Sequence, residues 1–325
     1  MSATATELAQ RVRTGLEVVI AGNRMAIDAS LIALLGDGHL LVEGVPGTAK
    51  TLLVRLLAAL VGASFRRIQF TPDLMPSDVV GTTIFHSQTD EFAFRPGPIF
   101  ASIVLADEIN RTPPKTQAAL LEAMEERQVT IDGVRHPLPA PFLVCATQNP
   151  VEFEGTYPLP EAQLDRFFVR ARTEYPAAAE ERALVARAAA GFDARTVVEL
   201  EVTPVARPDE IVAAQRAVRA IFVAEPVQAY LYAIAARTRD SGDIALGASP
   251  RATLALLTAA QATAAIDGRE FVTPDDVKTA APLVLAHRLT IRPEAEVDGV
   301  TADAAVRRIL DSVEVPKETA HSPQA

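Results

Sequence analysis

The chain has 325 residues, of which 49% are apolar, 5% are aromatic and 22% are charged, and its formal net charge is −10. This length exceeds one average domain and predicts two, and the apolar share is large enough to bury a core. The acidic balance argues against a general nucleic-acid binder, which would present a basic face, although it leaves room for a local basic pore in an oligomer.

Compartment signals indicate the cytoplasm. The single cysteine, Cys145, cannot form an intramolecular disulfide and is expected to be a small buried core residue. One cysteine in a chain of this length suits a reducing compartment. The chain starts without a basic segment followed by a continuous apolar core, so no signal peptide is predicted. No apolar run approaches 18 residues, so no membrane span is predicted either.

Two helices and a strand are predicted at the start of the chain. The first helix has apolar residues at helical spacing: Leu8, Val12, Leu16, Val19 and Ile20. The second runs from Asn23 to Leu35 and ends at the turn 36–38. The apolar run 40–42 predicts the first strand.

The residues after this strand follow the pattern of a phosphate-binding loop: Gly44, Val45, Pro46, Gly47, Thr48, Ala49, Lys50 and Thr51. In this pattern a strand is followed by a glycine turn, by Lys-Thr and by a helix, which is predicted here over 50–61. The backbone N–H groups of the turn and the helix N-terminus can then face phosphates. Lys50 can reach the β- and γ-phosphates, and Thr51 can ligate Mg²⁺. Because Ala49 stands where the motif usually has glycine, a glycine-rich turn without a ligand is the alternative.

A second polar pair follows a buried strand. Residues 65–70 predict a strand, and residues 71–98 are loop-like with one hairpin around the polar turn 87–90. Residues 103–106 then read as a parallel strand, with Asp107 and Glu108 at the carboxyl end, where such sheets bind ligands. Asp107 can hold Mg²⁺ through water. Glu108 can orient and deprotonate the water that attacks the γ-phosphate. The alternative is a polar strand end that caps the next helix.

The rest of the chain completes an α/β sheet and then turns helical. A helix from Pro113 to Arg127, a hairpin over 128–135 and strands at 142–147 and 167–171 are predicted. Beyond Tyr175 the composition is rich in Ala, Glu and Arg. Helices are predicted at 177–190, 208–221, 226–239, 250–267 and 274–287. The predicted units are a core over 1–175, a helical domain over 176–312 and a disordered tail over 313–325.

Three further residues can assist phosphate chemistry. Asn149 follows a buried strand and can hydrogen-bond a γ-phosphate or the attacking water, although Asn-Pro also starts turns. Arg166 can stabilise a transferring phosphoryl group, in trans if subunits pack side by side. Its alternative is a surface salt bridge with Asp165 or Glu161. Arg251 follows Ser-Pro, which is expected to start a helix. A cation in the first turn of a helix is unfavourable to the helix dipole, so its presence there suggests a nearby anion. Its alternative is an ordinary helix-surface arginine.

Together these motifs resemble the AAA+ ATPases and, within them, closely the MoxR family. The strings that carry the resemblance run in order over about residues 15–290: 44–51, 69–74, 94–100, 106–111, 146–150, 155–167 and 247–251. The family tolerates alanine at the position of Ala49.

The resemblance implies an α/β P-loop NTPase core of the AAA+ type, with a parallel sheet, flanking helices and two hairpin inserts, followed by an all-α lid. Residues 44–51 resemble Walker A and residues 103–108 resemble Walker B. Asn149 resembles sensor 1, Arg251 sensor 2 and Arg166 the trans-acting arginine finger. The hairpins at 83–98 and 128–138 resemble inserts that face the pore or the substrate.

The family further implies ATP and Mg²⁺ as ligands and a homo-oligomeric, hexameric ring. It acts as a chaperone-like factor alongside proteins with von Willebrand factor A domains. The expected function is client remodelling driven by ATP, bound between the core and lid of one subunit and completed by Arg166 of a neighbour. The alternatives are a nucleotide-gated scaffold with little turnover, the motor of a metal-chelatase complex, and a nucleic-acid-directed NTPase. The acidic charge weighs against the last. The client, the ring size and the choice of ATP over GTP are not specified by these motifs.

Overall fold

The computed structural model describes residues 2–316 except residues 21, 46, 89, 150–154, 174, 176 and 193–201. Pro46 of the glycine turn and residues 317–325 of the expected tail therefore lie outside the described residues. The described helices are α1 (Ser2–Val19), α2 (Arg24–Leu35), α3 (Lys50–Leu60), α4 (Pro76–Val80), α5 (Pro114–Glu126), α6 (Glu161–Leu164), α7 (Ala178–Ala189), α8 (Pro208–Arg219), α9 (Glu225–Arg239), α10 (Pro250–Ile266), α11 (Pro274–Leu285), α12 (Pro293–Val297) and α13 (Ala302–Ser312). The described strands are β1 (Leu40–Gly44), β2 (Phe65–Gln69), β3 (Gly81–His86), β4 (Glu91–Pro96), β5 (Ile103–Asp107), β6 (Gln128–Ile131), β7 (Val134–Pro137), β8 (Leu143–Gln148), β9 (Val169–Thr173), β10 (Ile244–Leu246) and β11 (Thr290–Ile291).

Within the described residues, five parallel strands form one sheet in the order β2-β5-β8-β1-β9. Its central strands are apolar along their length because helices cover both faces. Leu40 and Val42 of β1 pack into the cluster under α1, α2 and α3, whereas Leu41 packs with Leu120 and Met124 of α5 on the other face. The expected α/β core is confirmed.

The last strand of this sheet differs from the expected one. It spans Val169–Thr173 rather than 167–171. The N–H groups of Phe168 and Val169 both donate to the carbonyl of His39. Regular pairing with β1 therefore begins only at Val169. As an edge strand, β9 alternates apolar Val169 and Ala171 with Arg170 and Arg172.

Both expected hairpin inserts are present, and they touch each other. The turn of β6–β7 has Asp132 at φ 49° and Gly133 at φ 80°, as an Asp-Gly hairpin requires. The hydroxyl of Thr83 on β3 donates to the carboxylate of Asp132 at 2.5 Å. The segment 71–98, expected to be loop apart from β3–β4, also contains the short helix α4.

The helices after β9 form the expected all-α lid, with α8 to α11 starting and ending within two residues of the predicted bounds. Hydroxyl groups cap three of them: Ser249 Oγ accepts from the N–H of Ala252, Thr273 Oγ1 from that of Asp276, and Thr301 Oγ1 from that of Ala304. The pair β10–β11 and the helices α12 and α13 were not predicted. Helix α1 packs against α2 and α3 and also against α8 and α10. The domain boundary at residue 175 stays a prediction.

No helix in the described part of the chain combines the length and the apolar character needed to cross a bilayer.

Candidate active site

Most of the residues predicted for phosphate chemistry lie at the carboxyl ends of neighbouring strands. The register pairs Glu43 of β1 with Gln148 of β8, and Gly44 with Thr173 of β9. On the other side of β8, Ala106 of β5 pairs with Ala146. The glycine turn, Asp107-Glu108 and Asn149 therefore leave the sheet at one edge, which is where open α/β sheets bind ligands.

The glycine turn is shaped by close backbone approach and by positive φ angles. A Cβ atom on Gly44 would lie 2.0 Å from Thr173 Oγ1, so this position accepts only glycine. Gly47 has φ 82° and Ala49 has φ 58°. The hydroxyl of Thr48 closes the turn by donating to the carbonyl of Val45 at 3.0 Å.

Lys50 and Thr51 begin helix α3 directly after this turn. Lys50 Nζ donates to the carbonyl of Gly44 at 2.6 Å, so the ammonium group lies inside the turn. The helix N-terminus adds its partial positive charge at the same place. Together they make a pocket for an anion with several oxygens, such as a polyphosphate.

The carboxylates at the end of β5 are held by Thr147 of the neighbouring strand. Thr147 Oγ1 donates to Asp107 Oδ1 at 2.6 Å and accepts from the N–H of Glu108 at 2.9 Å. Asp107 and Thr147 are both buried. Glu108 is in the left-handed region, at φ 58°, which turns its side chain out of the strand direction. Thr147 was not predicted as a site residue, although its hydroxyl stands out in the otherwise apolar run 142–147.

Strand β2 supplies the counter-groups of these carboxylates. Arg67 Nη2 and Nε lie 2.6 Å and 3.0 Å from Asp107 Oδ2. Gln69 Nε2 donates to Glu108 Oε2 at 2.8 Å, and Arg111 Nε lies 3.1 Å from the same oxygen. Both carboxylates are thus oriented by polar side chains from this chain.

Asn149 follows β8 at the same edge and is buried. Its carbonyl accepts a long hydrogen bond, 3.5 Å, from Nδ2 of Asn110 in the turn after Glu108. This contact places the backbone of Asn149 beside the turn that follows Glu108, and its role at a γ-phosphate stays a prediction.

Arg166 and Arg251 lie together, but at the opposite edge of the sheet. Both contact Glu125 of α5: Arg166 Nε at 3.2 Å and Arg251 Nη1 at 3.0 Å. These residues surround a cavity of 210 Å³ that also includes His39, the residue before β1. Five residues of strand separate His39 from Gly44, or about 16 Å at 3.3 Å per residue. The structure thus brings Arg251 together with Arg166 rather than with the glycine turn of its own subunit, because its lid helix docks on the other edge.

A cavity of 530 Å³ adjoins the glycine turn. Its walls come from the start of α2, from β9 and from the lid, and include Asn23, Arg172, Tyr175 and Asp303. Nδ2 of Asn23 reaches the carbonyl of Thr48 at 3.5 Å, which connects this cavity to the turn. Its size and mixed polar lining suit the nucleoside part of a nucleotide. No local sequence signal pointed to it, because its walls come from three distant segments.

Comparisons with known proteins match both the sheet-containing part of the chain and its helical lid. Residues 39–169 match the ATPase family associated with various cellular activities (AAA), and residues 236–309 match the AAA lid domain. The uncharacterized Bacillus subtilis protein YeaC is 49% identical over 298 residues, covering 92% of each chain. Chaperone MoxR1 of Mycobacterium tuberculosis is 41% identical over 311 residues, covering 93% of this chain and 81% of the relative.

A solved structure extends the likeness to the fold. The crystal structure of a candidate ATPase from Cytophaga hutchinsonii superposes with a TM-score of 0.87 at 37% identity, covering 97% of each chain. The likeness spans both the sheet with its glycine turn and the helical lid. The chain therefore belongs to the MoxR family of AAA+ ATPases.

Proposed function

We propose that this protein hydrolyses ATP in the presence of Mg²⁺, at sites shared between neighbouring subunits of a ring, and uses the cycle to remodel client proteins. One observation carries the shared site: the glycine turn and the Arg166–Arg251 pair lie at opposite edges of one sheet. A subunit that offers a phosphate pocket at one edge and two arginines at the other can complete a neighbour's site more readily than its own.

Each residue of the site has a chemical task under this proposal. The N–H groups of residues 44–51 and Lys50 bind the phosphates, Asn149 orients the attacking water, and Glu108 takes its proton. Arg166 and Arg251 of the adjacent subunit stabilise charge on the γ-phosphate. The 530 Å³ cavity takes the nucleoside.

Mg²⁺ fits the residues present. Thr51 offers a hydroxyl and Asp107 a carboxylate, the hard oxygen donors that this ion prefers. Asp107 Oδ2 accepts both hydrogen bonds of Arg67, whereas Oδ1 accepts one from Thr147 and keeps a second acceptor site for a metal-bound water. When bound, Mg²⁺ would neutralise charge on the phosphates.

The biological task is proposed from the family. The relative MoxR1 is named a chaperone, which supports client remodelling by this chain. We propose a homo-hexamer that works with a protein carrying a von Willebrand factor A domain. The core over 1–175 and the lid over 176–312 are the two bodies whose relative motion would move the hairpin inserts.

Steady-state ATPase activity, measured against protein concentration with Mg²⁺, tests the proposal. Specific activity should rise with concentration, and Arg166→Ala should lower it by roughly 10³-fold while ATP still binds. Glu108→Gln should also bind ATP without turnover. Mixing the two variants should restore part of the activity, because one supplies the intact carboxylate and the other the intact arginine.

The alternatives give different results in the same assay. Turnover that is flat and near zero, with intact ATP binding, would favour a nucleotide-gated scaffold. Turnover that appears only when a chelatase partner is added would favour a chelatase motor. Full turnover by Arg166→Ala would contradict the shared site.

A further inference from the structure

The segment that carries Arg166 is fixed by one lid residue, Arg288. Arg288 Nε donates to Asp165 Oδ1 at 2.7 Å, and Nη2 donates to the carbonyls of Asp165 at 3.2 Å and Phe167 at 2.5 Å. Nη1 donates to the carbonyl of Phe168 at 3.1 Å and to that of Val284. One guanidinium thus contacts the residues on both sides of Arg166.

These contacts match the full donor capacity of the group. A guanidinium has five N–H donors in a planar fork, and five acceptors surround this one. Its side chain is 3% exposed, and burial lowers the pKa of Arg288 to about 10, partly offset by the carboxylate of Asp165. The group stays charged at neutral pH. An apolar side chain at this position would leave the Asp165 carboxylate and the buried carbonyls without a donor, so the guanidinium holds this segment in one arrangement.

Asp165 joins Arg288 to the start of the helix that carries Arg251. Its Oδ1 accepts from Arg288, and its Oδ2 accepts from Ser249 Oγ at 3.1 Å. Ser249 is the N-cap of α10, two residues before Arg251. The anchor of Arg166 and the anchor of Arg251 therefore meet at one carboxylate.

From this geometry we infer that Arg288 is a positioning residue for the two arginines that complete the neighbour's ATP site. The inference rests on the proposed shared site and adds to it. Arg166 lies between residues whose carbonyls are held by Arg288, so its backbone cannot shift without breaking those bonds. The lid that presents Arg251 thereby also sets the position of Arg166, which belongs to the core. Movement of one lid then moves both arginines away from, or towards, the adjacent phosphate.

Arg288→Lys tests the inference because it keeps the charge but loses the fork. We expect ATP to bind with unchanged affinity and the oligomer to sediment as in the wild type. Turnover should fall about 10- to 100-fold in kcat, the size of effect that a misplacement of about 1 Å produces. Mixing with Glu108→Gln should restore activity, since Arg288→Lys subunits keep an intact phosphate pocket and the partner variant supplies well-placed arginines.

Arg269→Lys is the matched control. Arg269 also pairs with a buried lid carboxylate, that of Asp276, but it does not contact the Arg166 segment. It should keep kcat near the wild-type value. Loss of activity in Arg288→Lys that the mixture does not restore, or a loss of ATP binding, would mean a general structural role and overturn the inference.

Asp165→Asn covers the case in which Arg288→Lys fails to fold. It keeps the carbonyl contacts and removes the charge that joins Arg288 to Ser249. A fall in kcat that Glu108→Gln subunits restore is expected, and a wild-type kcat would overturn the inference. The proposed function is tested separately by Arg166→Ala. If Arg166→Ala is inactive while Arg288→Lys and Asp165→Asn are fully active, only the positioning inference fails.

Discussion

Arg166 and Arg251 are tied to the two oxygens of a single carboxylate, that of Glu125, at 3.2 Å and 3.0 Å. Two guanidinium groups held this close repel each other, and the carboxylate between them neutralises one of the two charges. This cluster cannot be predicted from local sequence, because Glu125 lies 41 positions before Arg166, and Arg251 lies 85 positions after Arg166. The carboxylate of Glu125 thus holds the two arginines together.

Glu125→Gln should weaken this assembly. With the charge removed, the arginines spread apart, and we expect kcat to fall about tenfold while ATP affinity stays unchanged. Because all three side chains are partly exposed, the free energy of unfolding should change by less than about 1 kcal/mol. Glu122→Gln, one turn earlier on α5, is the charge-matched control. A rise in kcat would instead mean that Glu125 competes with the phosphate for the arginines.

Thr147→Val should damage the carboxylate pair while the glycine turn stays intact. The valine has the same shape but leaves Asp107 Oδ1 and the Glu108 N–H without their shared hydroxyl, at a cost of about 1–3 kcal/mol in unfolding free energy. We expect kcat to fall by more than tenfold, with ATP still bound. Thr147→Ser restores the hydroxyl and should recover most of the activity. Equal kcat for the valine and serine variants would rule out this role.

Ala49→Gly should stabilise the protein. Ala49 has φ 58°, and an L-residue in the left-handed region costs about 1–2 kcal/mol. Glycine relieves this strain but loses about 0.5–1 kcal/mol through its greater freedom in the unfolded chain. The net gain should be about 0.5–1 kcal/mol in denaturant unfolding, with ATP affinity unchanged. Ala49→Val is the opposite control, because a branched residue at this φ should destabilise.

The local part of the site could be predicted from the sequence and the long-range part could not. Residues 44–51 and 103–108 are each contiguous. An apolar run before or within each segment predicts a strand, and the polar residues follow at the carboxyl end of that strand. The contacts of Glu125, Thr147 and Arg288 depend on which strands are neighbours and on where the lid docks, and neither is encoded in spacing. For the same reason, residue spacing does not show that Arg251 lies beside Arg166 rather than beside the glycine turn of its own subunit. Its local signal, a Ser-Pro helix start, was read correctly, since Ser249 is the cap.

His39 lines the cavity that also contains Arg166 and Arg251. Its hydrogen bonds to Val144 and Met124 fix its protonation state. Its Nδ1 accepts from the N–H of Val144 at 3.0 Å, so the other nitrogen, Nε2, carries the hydrogen and donates to the carbonyl of Met124 at 3.1 Å. A second proton would place two N–H groups against each other. Burial and then the charge of Arg127 lower the pKa of His39 to about 3.

The protein should therefore lose stability as the pH falls below 6.5. Between the folded pKa of about 3 and the unfolded value of 6.5, the unfolded chain binds one proton more than the folded chain at this site. Each pH unit lost in that window should cost about 1.4 kcal/mol of unfolding free energy, and above pH 6.5 the contribution is constant. Urea unfolding at pH 7.5, 6.0 and 5.0 should show at least this slope for the wild type, because burial also lowers the pKa of His287. His39→Gln, which keeps a donor and an acceptor but does not titrate, should have a slope smaller by about that amount. Parallel pH profiles for the two proteins would show that folding does not lower the pKa of His39.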